Sequence, residues 1–209
     1  MKGAIFDLDG TLANTEEIHK KAWEIALNRL GFETNIDVST LLGRKTIDIA
    51  KILVGEELAE TLAKIKTQIY SELIKSHAKS KECANELINY LKSKGISIAV
   101  VTSSMRTSAL EVLKIINIHP DVLIAGDDVT IGKPDPTPIL EAIRKLRVTP
   151  TETIGVGDTL YDVVAYYKSG IRKIFVVKSS VPLDEEEVRK YGGQILSSLC
   201  ELLSYNNVI

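Results

Sequence analysis

Met1-Lys2-Gly3-Ala4-Ile5-Phe6-Asp7-Leu8-Asp9-Gly10-Thr11-Leu12 is the stretch on which the reading of the fold turns. A short apolar run ends in two carboxylates two residues apart, followed by a Gly-Thr turn. Side chains at i and i+2 of an extended segment point the same way. Asp7 and Asp9 are therefore expected to project together from the C-terminal end of a buried strand. Two carboxylates in one small volume repel and need a counter-charge or a shared proton. Beside a glycine that lets the backbone come close, the pair suits a divalent cation and a phosphoryl group. An acidic turn after a strand is the plainer alternative, so the rest of the chain has to decide.

Outward from that stretch, apolar β-rich runs recur at Gly3–Phe6, Ser97–Thr102, Val122–Ala125, Thr153–Val156 and Lys173–Val177. Such runs fit strands covered on both faces. Helical patterns separate them. Ala84, Leu87, Ile88 and Leu91 follow i, i+3, i+4, i+7, and Ile139, Leu140, Ile143 and Leu146 recur with a similar helical spacing between Pro138 and Val148. Strand–helix alternation from residue 82 onward predicts an α/β fold with a parallel sheet and right-handed crossovers. From about Thr15 to Lys79 there is no strand pattern. Three helices are expected there, one ending near Gly31, one over Thr46–Val54, and a long one carrying Leu58, Leu62, Ile65, Ile69 and Leu73. This block exceeds what a crossover needs and reads as an inserted helical domain, with hinges near Leu12–Thr15 and Ser76–Lys81. The acidic run Asp184–Glu187 fits the first turn of a surface helix.

Ligands of parallel α/β sheets collect beyond the carboxyl ends of the strands, and three more chemical signals fall there. Thr102, Ser103 and Ser104 follow the run Ile98–Val101; hydroxyls beside a helix N-terminus can hold a phosphate oxygen or simply cap the helix. Gly132-Lys133-Pro134 holds a lysine in a constrained loop, where it can neutralise phosphate and carboxylate charge, although most loop lysines are merely solvated. Gly157-Asp158-Thr159-Leu160-Tyr161-Asp162 ends another strand, and Asp162 shares the face of Asp158 if a helix starts at Thr159.

In this order (D-x-D-G-T, strand-Thr-Ser, G-K-P, G-D-x-x-x-D) the chain resembles the haloacid dehalogenase-like hydrolase superfamily over essentially its whole length. The branch resembled is that of phosphoglycolate phosphatase and β-phosphoglucomutase. The resemblance implies a Rossmann-like core formed by residues 1–14 and 80–209, with a helical cap domain at 15–79. It implies that Asp7 is the nucleophile forming an aspartyl-phosphate and Asp9 the general acid and base. Mg²⁺ would be held by Asp7, the Asp9 backbone carbonyl, Asp158 and Asp162, the last directly or through water. Thr102 and Lys133 would hold the phosphoryl oxygens, with Ser103, Arg44 of Gly43-Arg44-Lys45, and His19 as further substrate contacts. The expected activity is Mg²⁺-dependent hydrolysis of a small phosphomonoester, a sugar phosphate or a phosphoglycolate-like metabolite. A phosphosugar mutase is the alternative, suggested by His19, Ala22 and Trp23. Thr11 and the Val100-Val101-Thr102 sequence favour the phosphatase. A catalytically dead phosphometabolite-binding protein is a remoter alternative. A dehalogenase is disfavoured because Asp9 is present.

The chain has 209 residues, 44% hydrophobic and 26% charged, with a net charge of −2. These values fit a soluble globular protein and give no reason to expect nucleic acid or an anionic membrane as partner. No apolar run is long enough to span a bilayer. The expectation is a cytoplasmic monomer whose partner is a small phosphorylated metabolite. Cys83 and Cys200 fit no disulfide framework or metal spacing and read as structural thiols in a reducing compartment. Departures from the family pattern are Glu82-Cys83 in place of Pro-Gly, Asn14 in place of Asp, Tyr166 and Tyr167 where small residues are expected, and His119-Pro120 in place of an aromatic.

Overall fold

The computed structural model describes residues 1–204; the last five positions of the expected core segment lie outside the described residues. The chain begins with β1 (Gly3–Phe6) and then forms three helices, α1 (Glu16–Arg29), α2 (Thr46–Val54) and α3 (Glu56–His77), with a 3-10 turn at Val38–Leu41. Strands and helices alternate afterwards: α4 (Ala84–Ser93), β2 (Ser97–Val101), α5 (Arg106–Ile115), β3 (Val122–Ile124), α6 (Thr137–Leu146), β4 (Thr153–Gly157), α7 (Leu160–Lys168), β5 (Lys173–Val177), α8 (Glu185–Lys190), β6 (Gly193–Leu196) and α9 (Cys200–Ser204). The five strands expected from sequence are present. The sixth, β6, lacks a continuous apolar run and pairs with β5 at the sheet edge.

All pairings are parallel, in the order β3-β2-β1-β4-β5-β6. The alternation of side chains along a strand divides the core in two. Phe6, Val100, Val156 and Phe175 join the cluster on one face, which runs on into Trp23, Leu62 and Tyr70 of the helical segment. Ile5, Ala99, Val101 and Val176 join Ile139 and Tyr166 on the other. Each large apolar side chain so buried contributes about 1.5–3 kcal/mol. Tyr166 departs from the expected small residue, yet it is fully buried and its hydroxyl donates to the Val156 carbonyl at 3.0 Å.

The two connections between the sheet and the helical segment run side by side. Ala13 and Ser80 form an antiparallel bridge, the Asn14 N–H donates to the Lys79 carbonyl at 2.8 Å, and the Lys81 N–H donates to the Leu12 carbonyl at 2.9 Å. Lys81 Nζ also pairs with Glu16 at 2.8 Å.

The cysteines differ from the sequence expectation of free thiols. Cys83 and Cys200 form a disulfide with Cα atoms 5.1 Å apart, tying α9 to the start of α4 across 117 residues of chain. With two cysteines so far apart, spacing carries no information about pairing. Cys83 has φ 60°, the left-handed conformation that a glycine adopts more readily. This accounts for the glycine usual at that position, and the cross-link helps to hold the cysteine there. Closing so long a loop should stabilise the fold by about 2–4 kcal/mol. Reduction, or replacing both cysteines by serine, is expected to lower the melting temperature by roughly 4–16 °C. Calorimetry of the oxidised and reduced protein checks this; coincident melts would refute it.

Candidate active site

β1 and β4 are neighbours with Phe6 opposite Val156, so the residues that follow them emerge side by side. β1 is also where the strand order reverses, which opens a crevice at the carboxyl end of the sheet. Asp7, Asp158 and Asp162 each bring a carboxylate oxygen to within 4.8 Å of the others, and all three are buried. Lys133, from the loop after β3, reaches in with Nζ 2.7 Å from Asp7, 2.5 Å from Asp162 and 3.2 Å from the Val101 carbonyl. Asp162 also belongs to a capping box with Thr159 at the start of α7, which fixes its rotamer. Asp158 accepts from Thr11 at 3.3 Å and from Ser179 at 2.8 Å. Gly10 has φ +82°, and a Cβ there would lie 2.1 Å from Asp158 Oδ2, so the turn tolerates only glycine.

Three carboxylates face one ammonium. Burial first, and then the neighbouring carboxylates, push Asp7 and Asp158 above the usual carboxylate range, although Lys133 draws Asp7 down. Burial works against a charged Lys133, but Asp162 and Asp7 outweigh it and hold the lysine above its usual range. The cluster therefore lacks positive charge, and its donors are all hard oxygens. Both properties fit Mg²⁺.

Asp7 and Asp9 face the same cavity, as expected, while Leu8 joins the core face of Phe6. The Asp9 carboxylate is not part of the trio. Five donors reach it. Thr15 (2.7 Å), Tyr70 (2.9 Å) and His19 Nε2 (3.0 Å) approach Oδ1, while Ser104 (2.7 Å) and Thr102 (3.2 Å) approach Oδ2. Burial opposes the charge of Asp9, but His19 and these hydrogen bonds overcome it and hold the carboxyl well below its usual range. Behind His19 stands Lys66, with Nζ 2.7 Å from Nδ1. Burial pulls Lys66 down to about 7, against the pull of Asp9. Burial and Lys66 keep His19 below the usual histidine value. A protonated Lys66 makes Nδ1 an acceptor, so a neutral His19 carries its proton on Nε2, facing Asp9.

Thr102 lies against Asp9 and also accepts from the Ser104 N–H at 3.0 Å. Ser103 is engaged elsewhere: its hydroxyl donates to the Gly43 carbonyl at 2.6 Å. Next to Gly43, Arg44 Nε donates to Tyr161 at 2.8 Å with the guanidinium over the ring. Lys45 Nζ donates to the Val129 carbonyl at 2.7 Å and the Thr130 carbonyl at 3.1 Å. Its stem crosses Gly132, where a Cβ would lie 2.5 Å from Lys45 Cγ. The 43–45 loop is thus fastened to the sheet side at three points, one immediately before Lys133.

A cavity of about 40 Å³ lies among these groups, and its walls include Asp7, Asp9, His19, Arg44 and Thr102. Sequence reading missed Thr15, Lys66, Tyr70 and Tyr161, and it left Ser104 without a role. Lys66 had a readable signal, since it falls between Leu62 and Ile69 in the apolar stripe of α3 and is buried there. Tyr70 and Tyr161 carried none.

The haloacid dehalogenase-like hydrolase family matches residues 4–176. A pyrophosphatase PpaX of Halalkalibacterium halodurans is 30% identical over 95% of this chain and 94% of its own. A phosphorylated carbohydrates phosphatase of Thermotoga maritima is 29% identical over 87% of each. The crystal structure of CbbY from Rhodobacter sphaeroides in complex with phosphate superposes with a TM-score of 0.85 at 26% identity, covering 97% of this chain and 96% of that one. The chain belongs to the haloacid dehalogenase-like hydrolases.

Proposed function

We propose that this protein is a Mg²⁺-dependent phosphatase of small phosphomonoesters that works through an aspartyl-phosphate on Asp7, with residues 15–79 acting as a cap. The observation that carries this reading is the under-compensated trio Asp7, Asp158 and Asp162, with Lys133 between Asp7 and Asp162 and with Asp7 in the wall of a cavity shared with the helical segment. Asp7, Asp158 and Asp162 would hold the metal, with the Asp9 carbonyl as the further expected ligand. When bound, the metal supplies the positive charge that offsets the phosphoryl oxygens and the crowded carboxylates.

Asp7 attacks phosphorus in line, its new O–P bond forms as the ester P–O bond breaks, and the leaving alkoxide takes a proton from Asp9. Asp9 then removes a proton from water, which attacks the acyl-phosphate, releases inorganic phosphate and restores Asp7. An Asp9 held ionised is ready for the second step. For the first, the chain Lys66–His19–Asp9 offers a proton from a lysine that titrates near neutrality. Lys133 holds the transferring phosphoryl oxygens and Thr102 orients Asp9.

The mutase reading has His19 in its favour. The Thr11 hydroxyl on Asp158, where mutases carry an apolar residue, favours the phosphatase. The deciding experiment is a phosphate-release screen over small phosphomonoesters with and without Mg²⁺, including β-glucose 1-phosphate. Free phosphate supports the proposal; glucose 6-phosphate as the main product overturns it.

Asp7→Asn should lower kcat by about a thousandfold or more, measured on the best substrate of the screen. Asp158→Asn is expected to shift the Mg²⁺ activation curve to at least about tenfold higher concentration, and an unchanged curve removes Asp158 from the metal shell. Lys45→Met should lower kcat about tenfold by releasing the loop ahead of Lys133, with Lys45→Arg recovering most of it. Equal losses in both variants would argue against that coupling.

A further inference from the structure

Among the described residues, three buried side-chain polar atoms have no hydrogen-bond partner: Glu16 Oε2, Trp23 Nε1 and Glu111 Oε2. The first two belong to residues lining the catalytic cavity, and Glu111 does not. Glu16, His19 and Trp23 lie at i, i+3 and i+7 of α1, so they share one face of that helix. His19 has partners for both nitrogens. Glu16 Oε1 takes Lys81 at 2.8 Å and the Ser180 N–H at 3.5 Å, which leaves Oε2 as a buried acceptor without a donor. Trp23 is 1% exposed, and its indole N–H is a buried donor without an acceptor. Such atoms are costly to leave unmet, and native proteins rarely leave them so without a ligand, water or ion to satisfy them.

One unmet carboxylate oxygen and one unmet N–H on the same helix face call for a ligand that both donates and accepts. A hydroxylated carbon chain does this. The carboxylate of phosphoglycolate or the second phosphate of pyrophosphate cannot donate when ionised, and either is repelled by Glu16. Seven residues of helix also separate their Cα atoms by about 10 Å along the axis, so the two unmet groups come from successive turns of α1.

We propose that Glu16 and Trp23 select a polyhydroxylated leaving group, so that the substrate is a sugar or polyol phosphate whose hydroxyls donate to Glu16 Oε2 and accept from Trp23 Nε1. This rests on the phosphatase reading of the same site.

The test compares kcat/KM for erythrose 4-phosphate, ribose 5-phosphate and glucose 6-phosphate with those for phosphoglycolate and pyrophosphate. It uses the wild type, Glu16→Gln and Trp23→Phe. The wild type should favour one of the sugar phosphates over both small anions by about tenfold or more. Each variant should reduce that preference by about tenfold, chiefly through KM for the sugar phosphate. Trp23→Phe keeps an aromatic ring while removing the N–H donor and part of the indole, so it remains informative if Glu16→Gln fails to fold.

A wild type that prefers phosphoglycolate or pyrophosphate overturns the proposal and leaves the phosphatase reading standing. So does a preference unmoved in the folded variants, or a Glu16→Gln effect confined to the Mg²⁺ activation curve. Absence of phosphate release from every compound would instead remove the phosphatase reading, and this proposal with it.

Discussion

Three buried carboxylates crowded at one site, with one lysine between two of them, are the constraint on which the other features depend. Like charges this close cannot all ionise in a low-dielectric interior without further positive charge. The arrangement is imposed by the sheet, since β1 and β4 run parallel and adjacent and deliver Asp7 and Asp158 to the same place. Asp162 is pinned by its capping role at Thr159, and Lys133 is brought across from the loop beyond β3. None of the four can turn away from the others without disturbing a strand end or a helix start. The same excess of negative charge suits a site for a cation and an electrophilic phosphorus.

Asp9 works differently. Its partners come from both halves of the molecule: His19 and Tyr70 on the helical segment, and Thr102 and Ser104 after β2. A single carboxylate thereby joins the helices to the sheet through hydroxyls and an imidazole. The 43–45 loop adds three more polar attachments from the same side. Contacts of this kind are individually modest and readily exchanged for water, as suits a roof over a site that has to admit a ligand.

Most of the fold was legible. Five strands and the three helices between β1 and α4 follow from apolar periodicity, and the strand-end rule pointed to Asp7, Lys133, Asp158 and Asp162. The failures have physical causes. β6 is a four-residue edge strand, Gly193–Leu196, with a glycine and a glutamine in its first half, so it carries no run to recognise. The disulfide joins residues 117 positions apart, and only the fold brings them together. Tyr70 and Tyr161 look like ordinary packing residues until the opposite wall of the cavity is in view.

The paired linkers bear on how the two halves can move. Two separate tethers would let the helices slide, twist or swing. Here the tethers are zipped into a narrow antiparallel ribbon by backbone hydrogen bonds at Asn14 and Lys81, with the Ala13–Ser80 bridge between them. A ribbon flexes across its thin direction and resists shear in its own plane. Any displacement of the helices that bends this ribbon would therefore be a rocking about one axis, and it would carry His19 and Lys66 toward Asp9 in a single register.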